Sequence, residues 1–222
     1  MSNMALNQET SEAIRSYATS HLPDENWHRQ FFSFVSNTAL AGRLGDEFLA
    51  IRFVYKVLEG ITADSWLLRA QIRLQVLSYA SIYEAVIHHV LFERLSDDPH
   101  VIQLTEFPMK KLISIPREKL EFLEQYLSHD GKRIIPTYES IGKTDETKVR
   151  FDRKADCACE LGFIEAWLRD ELIEFYEARN SIHLHAEIRK SLDYQLDLSR
   201  RAYLRMEPFR EQVAVRLSAI PQ

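Results

Sequence analysis

The chain has 222 residues, 45% of them hydrophobic, 27% charged and 11% aromatic, and carries a formal net charge of −5. Those proportions belong to an ordinary globular protein and exclude a disordered, collagen-like or disulfide-framework chain. The acidic balance excludes a protein that coats nucleic acid with its whole surface but leaves room for a local basic groove.

Six glycines and seven prolines are few for this length, so long helices can run with little interruption and a many-turned β-sandwich is not expected. No stretch reaches the roughly 18 uninterrupted apolar residues of a membrane span. The run MSNMALNQETSEAIRSYATS lacks the basic start and apolar core of a secretory leader. Cys157 and Cys159 sit two apart, where a disulfide is strained and a zinc site lacks its other ligands. A cytoplasmic protein with two reduced thiols, and no membrane partner, is the expectation.

Residues 1–62 read as a helical N-terminal extension, with helices near Glu9 to Ser20, Glu25 to Ser36 and Gly45 to Glu59. In the last of these, Phe48, Ile51, Val54, Tyr55 and Leu58 recur at helical spacing. Thr62-Ala-Asp64 then offers an N-cap to a long helix that runs to about Leu95 and stops at SDDP. One stripe of that helix is Leu67, Ala70, Leu74, Leu77, Ser81, Glu84, His88, Leu91, Leu95, polar in its middle. A neighbouring stripe, Ile72, Val76, Tyr79, Tyr83, Ile87, Val90, is apolar or aromatic, so the helix is expected to be buried over a wide arc. Polar groups on such a face either find partners or face a functional cleft.

Residues 100–128 read as a shorter helical region, PMKKLISI followed by PREKLEFLEQYLS, each proline suiting a first helical turn. Residues 129–154 are charged and interrupted by glycine and proline; they read as a long surface loop with a short strand at Arg133-Ile-Ile135. A third long helix is expected from about Ala155 to Ala178, with Leu161, Ile164, Leu168, Leu172 and Phe175 in a stripe whose next step lands on Arg179. A final helix covers about Ile182 to Arg205, before Pro208. The fold class is all-α: a bundle of long helices over residues 63–207, with 208–222 as a C-terminal tail.

The chemistry concentrates in Glu177-Ala-Arg-Asn-Ser-Ile-His-Leu-His-Ala-Glu187, at the junction of the last two helices. Arg179 continues an apolar stripe, so its charge must be paired or await an anionic ligand. His183 lies one turn further on the same face if the helix is unbroken, and a kink at Asn180-Ser181 brings His185 there instead. Arg beside His is what metal-free phosphodiester cleavage needs. The imidazole moves protons at the ribose 2′-hydroxyl and the leaving oxygen, and the guanidinium binds the phosphate as its charge builds.

Arg179-Asn180 followed, after five intervening residues from Arg179, by His185, opening the last helix of an all-α bundle, resembles the motif of the HEPN superfamily. The resemblance spans roughly 64–206 and implies a helical bundle that dimerises to bring two motifs into one cleft. It also implies a metal-independent endoribonuclease that leaves a 2′,3′-cyclic phosphate, of toxin or anti-phage type, with an antitoxin or nucleotidyltransferase as partner and no cofactor. Carried onto this chain, His185 is the general acid/base, with His183 its competitor. Arg179 stabilises the phosphorane, Asn180 fixes the junction, and Glu84, a polar residue of the first long core helix, orients Arg179. Arg189, Lys190, Arg200 and Arg201, with Arg205, are the basic supply for RNA. The rival reading is a non-catalytic helical module that binds RNA, a nucleotide or a protein. A metal-binding bundle using His88 and His183 is a third, weakened because Glu84 and His88 have three residues between them rather than the two of di-iron bundles.

Overall fold

The computed structural model describes residues 6–133, 135–180 and 196–220. The chain divides into two units, one formed by residues up to Leu95 and from Arg150 onward, the other by Ser96–Val149.

In the first unit, α1 (Gln8–Ser20), α2 (Glu25–Phe31) and α3 (Thr38–Gly60) each start on a capping residue. The side chains of Asn7, Asp24 and Asn37 accept hydrogen bonds from the backbone N–H of Thr10, Trp27 and Leu40, donors that the first helical turn leaves without partners. Helix α3 buries Leu44, Gly45, Phe48 and Ile51, and α2 can lie close against it because Gly45 has no side chain: a Cβ there would stand 2.9 Å from the Arg29 Cα. Helix α4 (Ser65–His88) continues into a π-helical turn, His89–Arg94. Asp64 takes the N-cap position but makes no side-chain cap bond. The stripe Ile72, Val76, Tyr79, Tyr83, Ile87, Val90 is buried throughout, whereas Leu74 and Leu77 of the other stripe are exposed.

The second unit departs from the expected helical region and loop. Asp98 caps α5 (Pro99–Thr105), and β1 (Glu106–Leu112) follows where a helix on PMKKLISI was expected. After α6 (Arg117–Tyr126) comes a small hairpin, β2 (Ser128–His129) and β3 (Lys132–Arg133), turned by Asp130-Gly131 with both residues at positive φ. Then β4 (Thr137–Lys143) pairs antiparallel with β1. The register sets Lys110 opposite Glu139 and Glu106 opposite Lys143, two complementary pairs that favour this pairing. The helical expectation fails here because the partner of β1 lies a whole helix and hairpin away, beyond any local period. Likewise the expected loop 129–154 holds β4, a 3₁₀ turn at Glu146–Lys148 and the start of the next helix.

Back in the first unit, α7 (Phe151–Glu160) and α8 (Ala166–Asn180) replace the single expected helix 155–178. The break is a glycine C-cap. Gly162 has φ +77°, its N–H donates to the Cys159 carbonyl, and Phe163 N–H donates to the Ala158 carbonyl. Cys157 is buried and Cys159 half-buried on α7. Helix α9 (Leu196–Leu204) is followed directly by α10 (Met206–Ser218), so Pro208 sits in a first turn rather than after a last one.

Two aromatic clusters tie the unit together. Phe48 packs on Phe31, Phe32, Tyr79 and Tyr203, joining α2 and α3 to α4 and α9. Tyr83 stacks on Phe175 and meets Phe209 edge-on, joining α4 to α8 and α10, and its hydroxyl donates to the Ala202 carbonyl at 2.7 Å. The expected N-terminal extension and C-terminal tail therefore supply core residues of the helical unit itself. No described helix is long and apolar enough to cross a membrane.

Candidate functional site

Helix α8 packs against α4. Ala178, Ile72 and Val76 form a small buried cluster there, and the small side chain of Ala178 lets the C-terminal turn of α8 come close to α4. One residue further, Arg179 reaches Glu84: Nη1 donates to Oε2 at 3.0 Å. The Tyr176 hydroxyl donates to the other oxygen, Oε1, at 3.2 Å, so both carboxylate oxygens are held. The Arg179 guanidinium also lies over the Tyr176 ring, 4.9 Å from its centroid. Phe151 stacks against the Tyr176 ring, with centroids 4.4 Å apart. Burial first, then the nearby Glu84 charge, raises the Tyr176 pKa above its ordinary value and keeps the phenol protonated as a donor. The pair is not sealed: Arg179 and Glu84 side chains are 28% and 26% exposed.

The polar break in the α4 stripe thus has a partner at each position. Ser81 bonds back to the Leu77 carbonyl, Glu84 takes Arg179 and Tyr176, and His88 Nδ1 stands 3.3 Å from the Nζ of buried Lys154. His89 is held separately, between Glu93 at 2.9 Å and Ser36 at 3.3 Å. Among the described residues no group of three or more His, Cys, Asp or Glu converges in a way that could hold a metal ion.

Of the residues singled out from sequence, the structure brings Glu84 and Arg179 together and places Asn180, exposed, as the last residue of α8. His183, His185, Arg189 and Lys190 lie outside the described residues. Arg201 is not an open phosphate ligand, because Glu174, Glu171 and Asp197 all pair with it, at 2.6, 3.3 and 3.1 Å. Arg205 pairs with Glu171 and lies over Trp167. Arg205 first, then Arg201, holds the Glu171 carboxyl below its usual range. Arg200 makes no ion pair with a described residue. Sequence reasoning missed Tyr176 and Phe151. Tyr176 was within reach, since it precedes Arg179 by one turn on the same face; Phe151 comes from another helix and carried no such signal.

Comparison with protein-family models, with curated proteins and with solved structures gives no match for this chain.

Proposed function

We propose that the protein is a metal-independent endoribonuclease of HEPN type, in which Arg179 binds and stabilises the scissile phosphate. The observation that supports this reading is the Arg179–Glu84 pair at 3.0 Å, with Tyr176 on the second carboxylate oxygen. A guanidinium held at one nitrogen, backed by a ring and more than a quarter exposed, is oriented before substrate arrives. It still presents edges to a phosphate that gains charge in the transition state. In this reading His185 is the general acid/base, with His183 as the competing imidazole, and Asn180 contacts phosphate beside Arg179. Glu84 and Tyr176 are positioning residues. The 2′-hydroxyl attacks phosphorus, the 5′-oxygen leaves, and the product ends in a 2′,3′-cyclic phosphate. Arg189, Lys190 and Arg200 guide RNA, two copies of the chain build the cleft, and the role is that of a toxin or anti-phage effector under an antitoxin or nucleotidyltransferase partner.

The test is RNA cleavage by the purified chain in excess EDTA, with Arg179→Ala, His185→Ala and His183→Ala alongside and product ends analysed. Cyclic-phosphate ends, and a loss of about 10²-fold or more in Arg179→Ala and in one histidine variant, are the expected result. If a folded wild-type chain leaves varied RNAs intact, the ribonuclease reading fails. A helical module that binds without cutting then takes its place, recognised by affinity that survives His185→Ala.

A further inference from the structure

A cavity of about 410 Å³ opens between α3, α4 and α9. That volume is within the range of small-molecule sites. Each helix contributes residues one turn apart on a single face: Arg52 and Lys56 from α3, Gln75 and Tyr79 from α4, Ser199 and Tyr203, with Arg200, from α9. The lining holds three permanent cations and no Asp or Glu, in a chain whose net charge is −5.

Arg52 is the most informative of them. Its guanidinium lies over the rings of Trp27, Phe48 and Tyr203, at 5.3, 5.3 and 5.5 Å, and Nη1 donates to the Nε2 of His28 at 2.9 Å. None of these partners carries negative charge, and burial favours the neutral form of His28. Among the described residues no carboxylate pairs with Arg52 or with Arg200, whereas Lys56 is paired with Glu59. A guanidinium set among rings with no counter-charge is arranged for an anion that is not part of the fold. Gln75 gives an independent sign. It is 5% exposed, it lines the same cavity, and its Oε1 has no hydrogen-bond partner among the described residues. A buried acceptor in that state calls for a donor supplied by whatever fills the space. Tyr79 and Tyr203, with ring centroids 6.0 Å apart, give the cavity aromatic walls.

We infer that this cavity binds a small organic anion of nucleoside-monophosphate kind, its phosphate on Arg52 and Arg200 and its base against Tyr79 and Tyr203, with a base N–H donating to Gln75 Oε1. Two guanidinium groups match a phosphate dianion, aromatic walls match a flat heterocycle, and an unpartnered amide oxygen matches its N–H edge. The inference makes no use of Arg179, Glu84 or Tyr176 and shares only Arg200 with the proposed RNA path.

The test is calorimetric titration of the full chain with the 5′-monophosphates of adenosine, guanosine, cytidine and uridine, with the corresponding nucleosides, and with inorganic phosphate. At least one monophosphate is expected to bind with Kd below about 100 µM, at least about tenfold tighter than its nucleoside and than phosphate alone. Arg200→Gln, a change at a surface position, is expected to weaken it about tenfold with the unliganded Tm unchanged. Gln75→Leu is expected to weaken it while leaving unliganded Tm equal or higher, because it removes the unpartnered oxygen. No binding of any monophosphate at millimolar concentration would overturn the inference. So would phosphate binding as tightly as the nucleotides, or nucleotide affinity unchanged in both variants.

Discussion

Arg179 and Glu84 stand 95 residues apart in the chain and meet at 3.0 Å across the packed faces of two helices. The contact joins the last turn of α8 to the polar break in α4, and Tyr176 completes it from one turn behind Arg179. A positioned guanidinium at a helix end is the physical core of the proposed ribonuclease chemistry.

Removing the carboxylate separates its positioning role from its structural one. Glu84→Ala takes a partner from Arg179 and an acceptor from Tyr176, at a pair open enough to water that the stability loss is expected to be about 1 kcal/mol. Glu84→Gln keeps one acceptor oxygen for Arg179 and turns an N–H toward the Tyr176 hydroxyl, and is expected to recover part of that loss in urea unfolding. RNA cleavage is expected to fall in both variants through kcat rather than KM, since Gln lacks the charge that fixes the guanidinium. Equal activity in Glu84→Gln and wild type would show that Glu84 does not position Arg179.

Arg201 is expected to serve the fold rather than RNA. With three carboxylates around it and the Phe175 ring beneath, Arg201→Gln leaves Glu174 and Asp197 without their cation and Glu171 with Arg205 alone. A loss of about 1–2 kcal/mol in unfolding free energy is expected, with the slope of log affinity for RNA against log salt unchanged. A flatter salt slope would return Arg201 to the RNA-binding residues.

Three glycine-to-alanine substitutions are expected to act in different directions. At Gly162 the backbone is at φ +77°, so alanine is strained, by about 1 kcal/mol or more. At Gly45 an added Cβ meets the α2 backbone at 2.9–3.1 Å, and the helices must separate, at a cost of about 1–3 kcal/mol. At Gly42 nothing lies within 4 Å of that Cβ, so alanine in mid-helix is expected to stabilise by about 0.5–1 kcal/mol. Thermal unfolding of the three variants checks the order.

Acid stability is expected to carry two separate steps. Burial, with the Arg52 charge adding to it, lowers the His28 pKa from its ordinary 6.5, so the unfolded chain takes up a proton there before the folded one does. The stability His28 contributes is therefore complete above pH 6.5 and lost as the pH falls below it, by at most about 1.4 kcal/mol per pH unit. Glu171, held low by Arg205 and Arg201, has its effect only as the pH drops below its ordinary 4.5. Unfolding free energies of wild type and His28→Gln between pH 7 and 5 isolate the first step: the difference between them should shrink toward acid pH. A constant difference would remove His28 as its source.

How far the fold could be read from sequence depended on whether the governing interaction was local. Asn7 and Asp24 mark the starts of α1 and α2 through bonds three residues long, and the buried stripe from Ile72 to Val90 is a period within one helix; both are visible in the order of residues, whereas α3 starts at Thr38 on its Asn37 cap, ahead of the expected Gly45. The all-α class follows from that period. Gly162 and its C-cap are also local, but a continuous apolar stripe masked them. The strand β1 was not legible, because its backbone partner β4 is remote in the chain and only their juxtaposition makes 106–112 extended. The same holds for the site. The apolar spacing that ends on Arg179 was enough to show a charge needing a partner. That the partner is Glu84, that Tyr176 holds its second oxygen, and that Arg201 is already neutralised while Arg52 is not, was decided only when α3, α4, α8 and α9 packed. Ion pairs and cavities are set by distances between helices, and a sequence specifies those distances only through the packing of all of them together.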